Sequence, residues 1–393
     1  MKALRALVAG LIFAIVWISA PVVSRAADPY EVSVIASLTG PGAFLGKEEQ
    51  QSLFVLRDLV NKEGGIRGRQ IQFVVQDDQT NPQIAVQLLN GTLAKHVPFL
   101  IGGTLSSSCN AMSALVNGEA VLYCFTPSVH PPLGSYVFSA STDSTQAIIG
   151  TIRYFRERGW RKIAVLSSSD ATGQDADRSF NTALSLPENK SVSIVDAEHF
   201  NVTDISIAAQ MAHIRESGAE AAIFWTTGTP FGTTLREAMQ AGLNIPIATS
   251  GGNLIAEQLE QYAAYMPKAP LYIMAPPWPA GDQLPKGPVR TAVLSYLEAF
   301  STIGVHPDAG QSIPWDMAQL LLGALRKYGF EVTANQVRTY IAETRGFAGI
   351  NGIYDFGKFP QRGIGLDSML MVQWVPVQNA FRVVSNFGGQ PLR

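Results

Sequence analysis

Residues 97–125, VPFLIGGTLSSSCNAMSALVNGEAVLYCF, read as strand, turn, helix and strand. Val97–Ile101 and Val121–Phe125 are short apolar runs, and Ala111–Asn117 between them has helical character. The alternation extends both ways. Upstream, strands are predicted over Val32–Ser37 and Gln70–Gln76, with amphipathic helix Lys47–Glu63 between them ending at Gly64-Gly65. Downstream come helix Thr145–Arg158, strands Lys162–Leu166 and Val192–Val195, and helix Ile205–Ser217. Strand Ala221–Trp225, helix Thr233–Ala241 and strand Ile245–Ala248 follow. Strands alternating with helices imply an α/β fold of parallel sheets covered on both faces. About nine strands exceed what one compact sheet usually holds. Two α/β lobes are therefore expected, each a doubly wound, mostly parallel sheet.

Such sheets bind ligands in crevices at the carboxyl ends of their strands. Three stretches read as crossings between lobes: polar Ser139–Ser144, proline-rich Ala275–Pro285 and glycine-spaced Gly346–Asp355. Repeated crossings make each lobe discontinuous and the joint a hinge.

Composition narrows the function. The 393 residues suffice for two or three domains, and 47% hydrophobic against 15% charged suits large cores rather than disorder. Lys plus Arg (29) against Asp plus Glu (31) leaves a net charge of −2, with no basic excess to hold nucleic acid. Two cysteines exclude a disulfide-dense scaffold and a cysteine-built zinc or iron–sulfur site.

At the N-terminus, Lys2 and Arg5 precede an apolar run from Ala6 to about Ile18, and Ser24-Arg25-Ala26 offers small residues at a cleavage site. This is the layout of a secretory signal peptide cut after Ala26. As a membrane anchor the run is short, and Ser19, Pro21 and Ser24 interrupt its end. The mature chain would carry 26 basic and 31 acidic residues, a net −5, and be exported. In an oxidising compartment Cys109 and Cys124 either pair as a disulfide or pack separately as small hydrophobes. A β-α-β unit places both at one edge of the sheet, which permits the bridge.

Catalytic and metal chemistry find no constellation. His96, His130, His199, His213 and His306 lie far apart, without ligand spacing. Asp77-Asp78 end a strand, point to opposite sides and read as loop-capping carboxylates. Gly102-Gly103-Thr104-Leu105-Ser106-Ser107-Ser108 lacks the Gly-Lys-Ser/Thr of a phosphate loop, Gly-x-Gly-x-x-Gly and the Gly-x-Ser-x-Gly elbow. It does offer free backbone N–H groups and hydroxyls at a positive helix end, which suits a carboxylate. Ordinary N-capping by one serine is the alternative.

Several segments, in order, resemble one family. They are Ser37-Leu38-Thr39-Gly40-Pro41-Gly42-Ala43-Phe44-Leu45-Gly46, Asn61-Lys62-Glu63-Gly64-Gly65-Ile66-Arg67-Gly68-Arg69, Asp77-Asp78, Ser106-Ser107-Ser108 and Thr126-Pro127-Ser128. Gly173-Gln174, Leu235–Leu243 and Phe347–Phe356 complete the set. Together they are similar to periplasmic solute-binding proteins of the leucine/isoleucine/valine-binding type, which serve ABC importers. The resemblance implies a type I two-lobed fold with three hinge crossings and one ligand clamped in the cleft. Lobe one would comprise 27–142 and 278–350, and lobe two 143–277 and 351–393. No cofactor or metal is implied; the partners would be a small molecule and a membrane permease.

By position, Ser106, Ser107, Ser128 and His130 would hold a ligand carboxylate, with His130 standing where a threonine is usual. It is either a solvent-facing turn residue or a donor. Phe44, Leu45, Gln174, Asn253 and Trp278 would also contact the ligand. The family's lobe-two tyrosine and aromatic pair fall on Thr172 and on Thr227-Gly228, and its ammonium-binding carboxylate falls near Gly251. No acid stands in Thr249-Ser250-Gly251-Gly252-Asn253; Glu257 lies on the following helix, and Asp170 is the other candidate. An ammonium buried without a counter-charge costs roughly 3–5 kcal/mol. The expected ligand is therefore a carboxylate without an α-amino group. Phe44, Trp225, Phe231 and Trp278 near cleft loops favour an aromatic or other organic acid, Trp225 being alternatively core. Amide, urea and amino-acid ligands stay open. A sensor subunit for a membrane receptor is the second class, separable from an importer by neighbouring permease and ATPase genes. An exported hydrolase is the third, and no histidine–acid pair can be set beside Ser106 or Ser107.

Overall fold

A computed structural model of the chain describes residues 27–392. The expected signal peptide, 1–26, lies outside the described residues. No helix among those described is long and apolar enough to cross a membrane.

The chain opens with β1 (Tyr30–Ala36), α1 (Ala43–Lys62), β2 (Ile71–Asp77), α2 (Pro82–Leu93), β3 (Phe99–Gly102), α3 (Ser106–Ser113), β4 (Val121–Cys124) and β5 (Val137–Ser139). Their strands form one parallel sheet, in the order β2-β1-β3-β4-β5. β3 and β4 are buried throughout, as apolar runs covered on both faces must be. The helix after β3 begins at Ser106, earlier than the expected Ala111, so the serines at the positive helix end form its first turn.

A second series follows: α4 (Ser144–Glu157), β6 (Lys162–Ser168), α5 (Ala171–Ser185), β7 (Ser193–Phe200), α6 (Ala208–Glu216), β8 (Ala221–Trp225), α7 (Thr229–Gln240), β9 (Ile247–Thr249), α8 (Ala256–Gln261) and β10 (Leu271–Ala275). The chain then returns to the first lobe with α9 (Pro288–Ser301), α10 (Ala309–Tyr328) and α11 (Ala334–Glu343), α10 lying along α1. β11 (Arg345–Gly349) and β12 (Gly352–Asp355) form a hairpin, and β13 (Leu370–Val375) and β14 (Ala380–Val383) close the second sheet. That sheet runs β14-β13-β10-β9-β8-β6-β7. β13 alone runs against the other strands of it, pairing antiparallel with β10 and β14: it enters from the returning passage, and a tight turn with Asn379 in the left-handed region leads into β14.

The chain passes between sheets after β5 and after β10, within Ser139–Ser144 and Ala275–Pro285. The third expected crossing, Gly346–Asp355, is instead the β11–β12 hairpin. It is held to the first lobe because buried Asp316 of α10 accepts the Ile350 and Asn351 amides, both at 2.9 Å, and the Tyr354 hydroxyl at 3.1 Å. The return comes later, between Arg362 and β13. Arg362 still bonds the first lobe, whereas Leu366 already meets Gln146 of α4.

Cys109 in α3 and Cys124 at the end of β4 are joined by a disulfide, with Cα atoms 6.0 Å apart. Asp77 accepts from the Leu38, Thr39 and Gln79 amides, and Asp78 from the Ser37 hydroxyl and Thr80 amide. Both carboxylates tie down the β1–α1 loop, as their place at a strand end implies.

Candidate functional site

Residues just beyond the carboxyl ends of β3, β4, β6, β8, β9 and β10 converge on one cavity of about 890 Å³, open mouth included. The first lobe contributes Leu45, Thr104, Ser106, Phe125, Thr126 and Ser128, and the second Thr172, Trp225, Thr227, Ser250, Gly251 and Met274. Thr142, Ser144, Pro276 and Trp278 come from the passages between the lobes, and Ile313 from α10. Among the described residues no charged side chain lines it. Its polarity comes from hydroxyls, and its bulk from aromatic, aliphatic and thioether groups.

One end of this lining gathers hydrogen-bond donors. The position preceding α3 is Leu105, whose side chain caps nothing, and the amides of Ser106, Ser107 and Ser108 find no acceptor among the described residues. Ser106 Oγ and Thr126 Oγ1 lie 2.9 Å apart and share one proton of their two, leaving one to donate. Ser128 Oγ and Ser144 Oγ lie 3.3 Å apart; because Ser144 donates to Asp175, the proton between them is that of Ser128, which leaves this pair only lone pairs for a ligand. The turn carrying Ser128 is braced from behind by Arg362, which donates to Pro127 O (2.9 Å) and to Val129 O. Uncapped amides at a helix start, with a free O–H beside them, stabilise an anion without any cationic side chain.

Of the expected contacts, Leu45, Ser106, Ser128, Thr172, Thr227, Gly251 and Trp278 line the cavity. The others stand elsewhere. Ser107 is exposed, because successive first-turn residues of a helix point about 100° apart. Gln174 is exposed and donates to Ser169 O. Asn253 is buried as a strut, bonding Thr226 O (2.8 Å), Thr249 Oγ1 (2.9 Å) and the Gly228 amide (3.1 Å). Phe231 is core, while Trp225 both lines the cavity and meets Phe180 edge-on. Thr126, Thr142, Ser144 and Ser250 also line the cavity without being among the expected contacts; a hydroxyl within three residues of a strand's carboxyl end is the signal that marks Thr126 and Ser250. Asp170 is spent as the N-cap of α5, accepting the Thr172 and Gly173 amides, and does not line the cavity.

Phe44 and His130 sit on the rim, where the lobes touch. The Phe44 ring packs on Gly228, where an added Cβ would come within 2.7 Å of it. His130 Nε2 lies 2.6 Å from Asp175 Oδ1 of α5. Burial opposes the charge on Asp175, but hydrogen bonds from His130 and Ser144 and the neighbouring Arg178 outweigh it and hold this carboxyl below its usual range. On the other side of the mouth, the Ala309 amide donates to Leu254 O (3.0 Å) and Asp308 accepts the Ala256 amide (2.9 Å).

Behind Thr104 lies Glu49, fully buried, whose Oε2 accepts the Thr104 hydroxyl at 2.6 Å. Burial pushes this carboxyl up to about 8. The folded state thus keeps a proton that the unfolded chain gives up in the ordinary carboxyl range. The stability linked to it is full below that range and is lost as pH rises to about 8. Glu49→Gln, which mimics the protonated form, should melt higher than the parent at pH 8 and level with it near pH 4. Thermal melts at the two pH values check this.

Two sheets joined by several passages, with a cleft between their strand ends, define a two-lobed α/β binding protein. The periplasmic binding protein family matches residues 29–379, and the chain belongs to it. A leucine-, isoleucine-, valine-, threonine- and alanine-binding protein of Pseudomonas aeruginosa is 26% identical over 226 residues. That stretch covers 56% of this chain and 60% of the relative's length. An extracellular ligand-binding receptor from Rhodopseudomonas palustris superposes with a TM-score of 0.80 at 17% identity, covering 90% of this chain and 99% of the other. An R. palustris ABC-transporter solute-binding protein in complex with benzoate gives 0.76 at 16% identity, covering 93% and 97%. At these identities the two structures speak for the fold.

Proposed function

We propose that the protein is the periplasmic receptor of an ABC importer, closing on an organic carboxylate that lacks an α-amino group, aromatic acids above all. The observation that carries this is the uncharged cavity with donors gathered at the start of α3. A zwitterion would need an acid for its ammonium. A carboxylate needs only N–H and O–H donors, which the Ser106–Thr126 pair and the α3 amides supply. Trp225, Phe125 and Trp278 supply flat apolar walls for a ring. The benzoate bound by a protein of the same fold supports this choice, and the amino acids named for the P. aeruginosa relative are the competing class. Ligand contacts to both lobes would favour the closed state that a permease recognises.

A thermal-shift panel of aromatic acids, aliphatic acids, amino acids and amides tests the ligand class. Aromatic acids should raise the melting temperature most; the largest rise with leucine or valine would sink the proposal. Ser106→Ala should cost about 1–3 kcal/mol of binding through loss of a hydrogen bond to a charged group. Ser107→Ala should leave affinity unchanged, because that side chain faces solvent. Calorimetric titration distinguishes the two.

A further inference from the structure

The hydroxyls of the second lobe can be assigned proton by proton. Ser250 Oγ lies 2.9 Å from Thr226 O, and Thr227 Oγ1 lies 3.0 Å from Ser250 Oγ. Two oxygens this close repel unless a proton lies between them. A carbonyl has none to give, so the Ser250 proton points at Thr226 O. The proton between Thr227 and Ser250 must then come from Thr227. Asn253 holds this orientation, donating to Thr226 O at 2.8 Å and to Ser250 Oγ at 3.4 Å. Thr227 is half-buried on the cavity wall, and its oxygen has only lone pairs left for a ligand. No charged group stands beside it in the lining.

From this we infer that Thr227, oriented by Ser250, selects an organic acid that carries a neutral hydrogen-bond donor, an O–H or amide N–H, besides its carboxylate. The inference rests on the carboxylate reading above and narrows it. An ionised donor is disfavoured, because the wall has no counter-charge. A substituent that only accepts, such as an ether oxygen, meets lone pair against lone pair.

Calorimetric titration with benzoate, its three hydroxy isomers and their methoxy counterparts tests this. At least one hydroxybenzoate should bind more tightly than both benzoate and its own methoxy analogue, by roughly two- to tenfold, the span of one neutral hydrogen bond. Thr227→Val, close in shape but without the oxygen, should erase that preference, so that the hydroxybenzoate and benzoate bind this variant equally tightly. Ser250→Ala releases the Thr227 proton to donate, so the methoxy analogue should gain on the hydroxy acid. If benzoate binds but no hydroxy isomer binds better, or the preference survives in Thr227→Val, this inference falls alone. Should none of the acids bind while an amino acid does, the carboxylate reading falls and this one with it.

Discussion

Replacing Gly251 with aspartate should weaken binding of aromatic carboxylates by about two to three and a half orders of magnitude, since an uncompensated buried charge costs roughly 3–5 kcal/mol and 1.4 kcal/mol is tenfold. The site admits the change. Gly251 lines the cavity, its backbone is outside the left-handed region, and the nearest atom to an added Cβ is Met274 O at 3.8 Å. The new carboxylate would face the ligand's own charge with no cation in the lining to offset either. The loss should shrink as pH falls and the new group takes up a proton. Leucine or a similar amino acid should bind the variant better than the parent, because the missing partner for its ammonium has been supplied. Titration of both ligands into both proteins gives a crossed pattern. Undiminished acid binding in Gly251→Asp would place the anion elsewhere.

Removing the Cys109–Cys124 bridge should have the second largest effect. A disulfide closing a loop of about 15 residues contributes about 3 kcal/mol, chiefly by restricting the unfolded chain. Here it also joins the first turn of α3 to the end of β4, the two elements that present Ser106 and Thr126. The double variant Cys109→Ala, Cys124→Ala should melt at a lower temperature and bind its acid more weakly, as the distance between those hydroxyls is no longer restrained. Melting curves with and without reductant, together with titration of the variant, measure both effects. A variant that melts like the parent would show the tie to be dispensable.

Much of the architecture was legible in the chain. Apolar runs such as Ala221–Trp225 have the length and burial of covered strands, and the helices between them force parallel pairing. What escaped depended on phase or on distant contacts. Serine weighs little in a helix pattern, so the apolar periodicity starts α3 at Ala111 and does not tell Ser107 from Ser106. Glycines at 346, 349 and 352 suit a crossing and a hairpin equally. The choice was made by Asp316, more than thirty residues away, whose carboxylate captures the hairpin's amides. The missing acid in the Gly251 loop was visible because it is a matter of composition. The role of Asn253 was not, since whether an amide faces the cleft or the loop behind it depends on a bond to Thr226.

The cavity without ionised walls has a consequence for the surroundings in which the protein works. Dissolved salt weakens attraction between exposed charges, and the Debye length shrinks from about 30 Å at 0.01 M to about 3 Å at 1 M. A guest held as proposed, by fixed backbone dipoles and hydroxyls, would have no such attraction to lose. Its grip should hardly differ between dilute freshwater and brine, which suits a compartment whose ionic content follows the world outside.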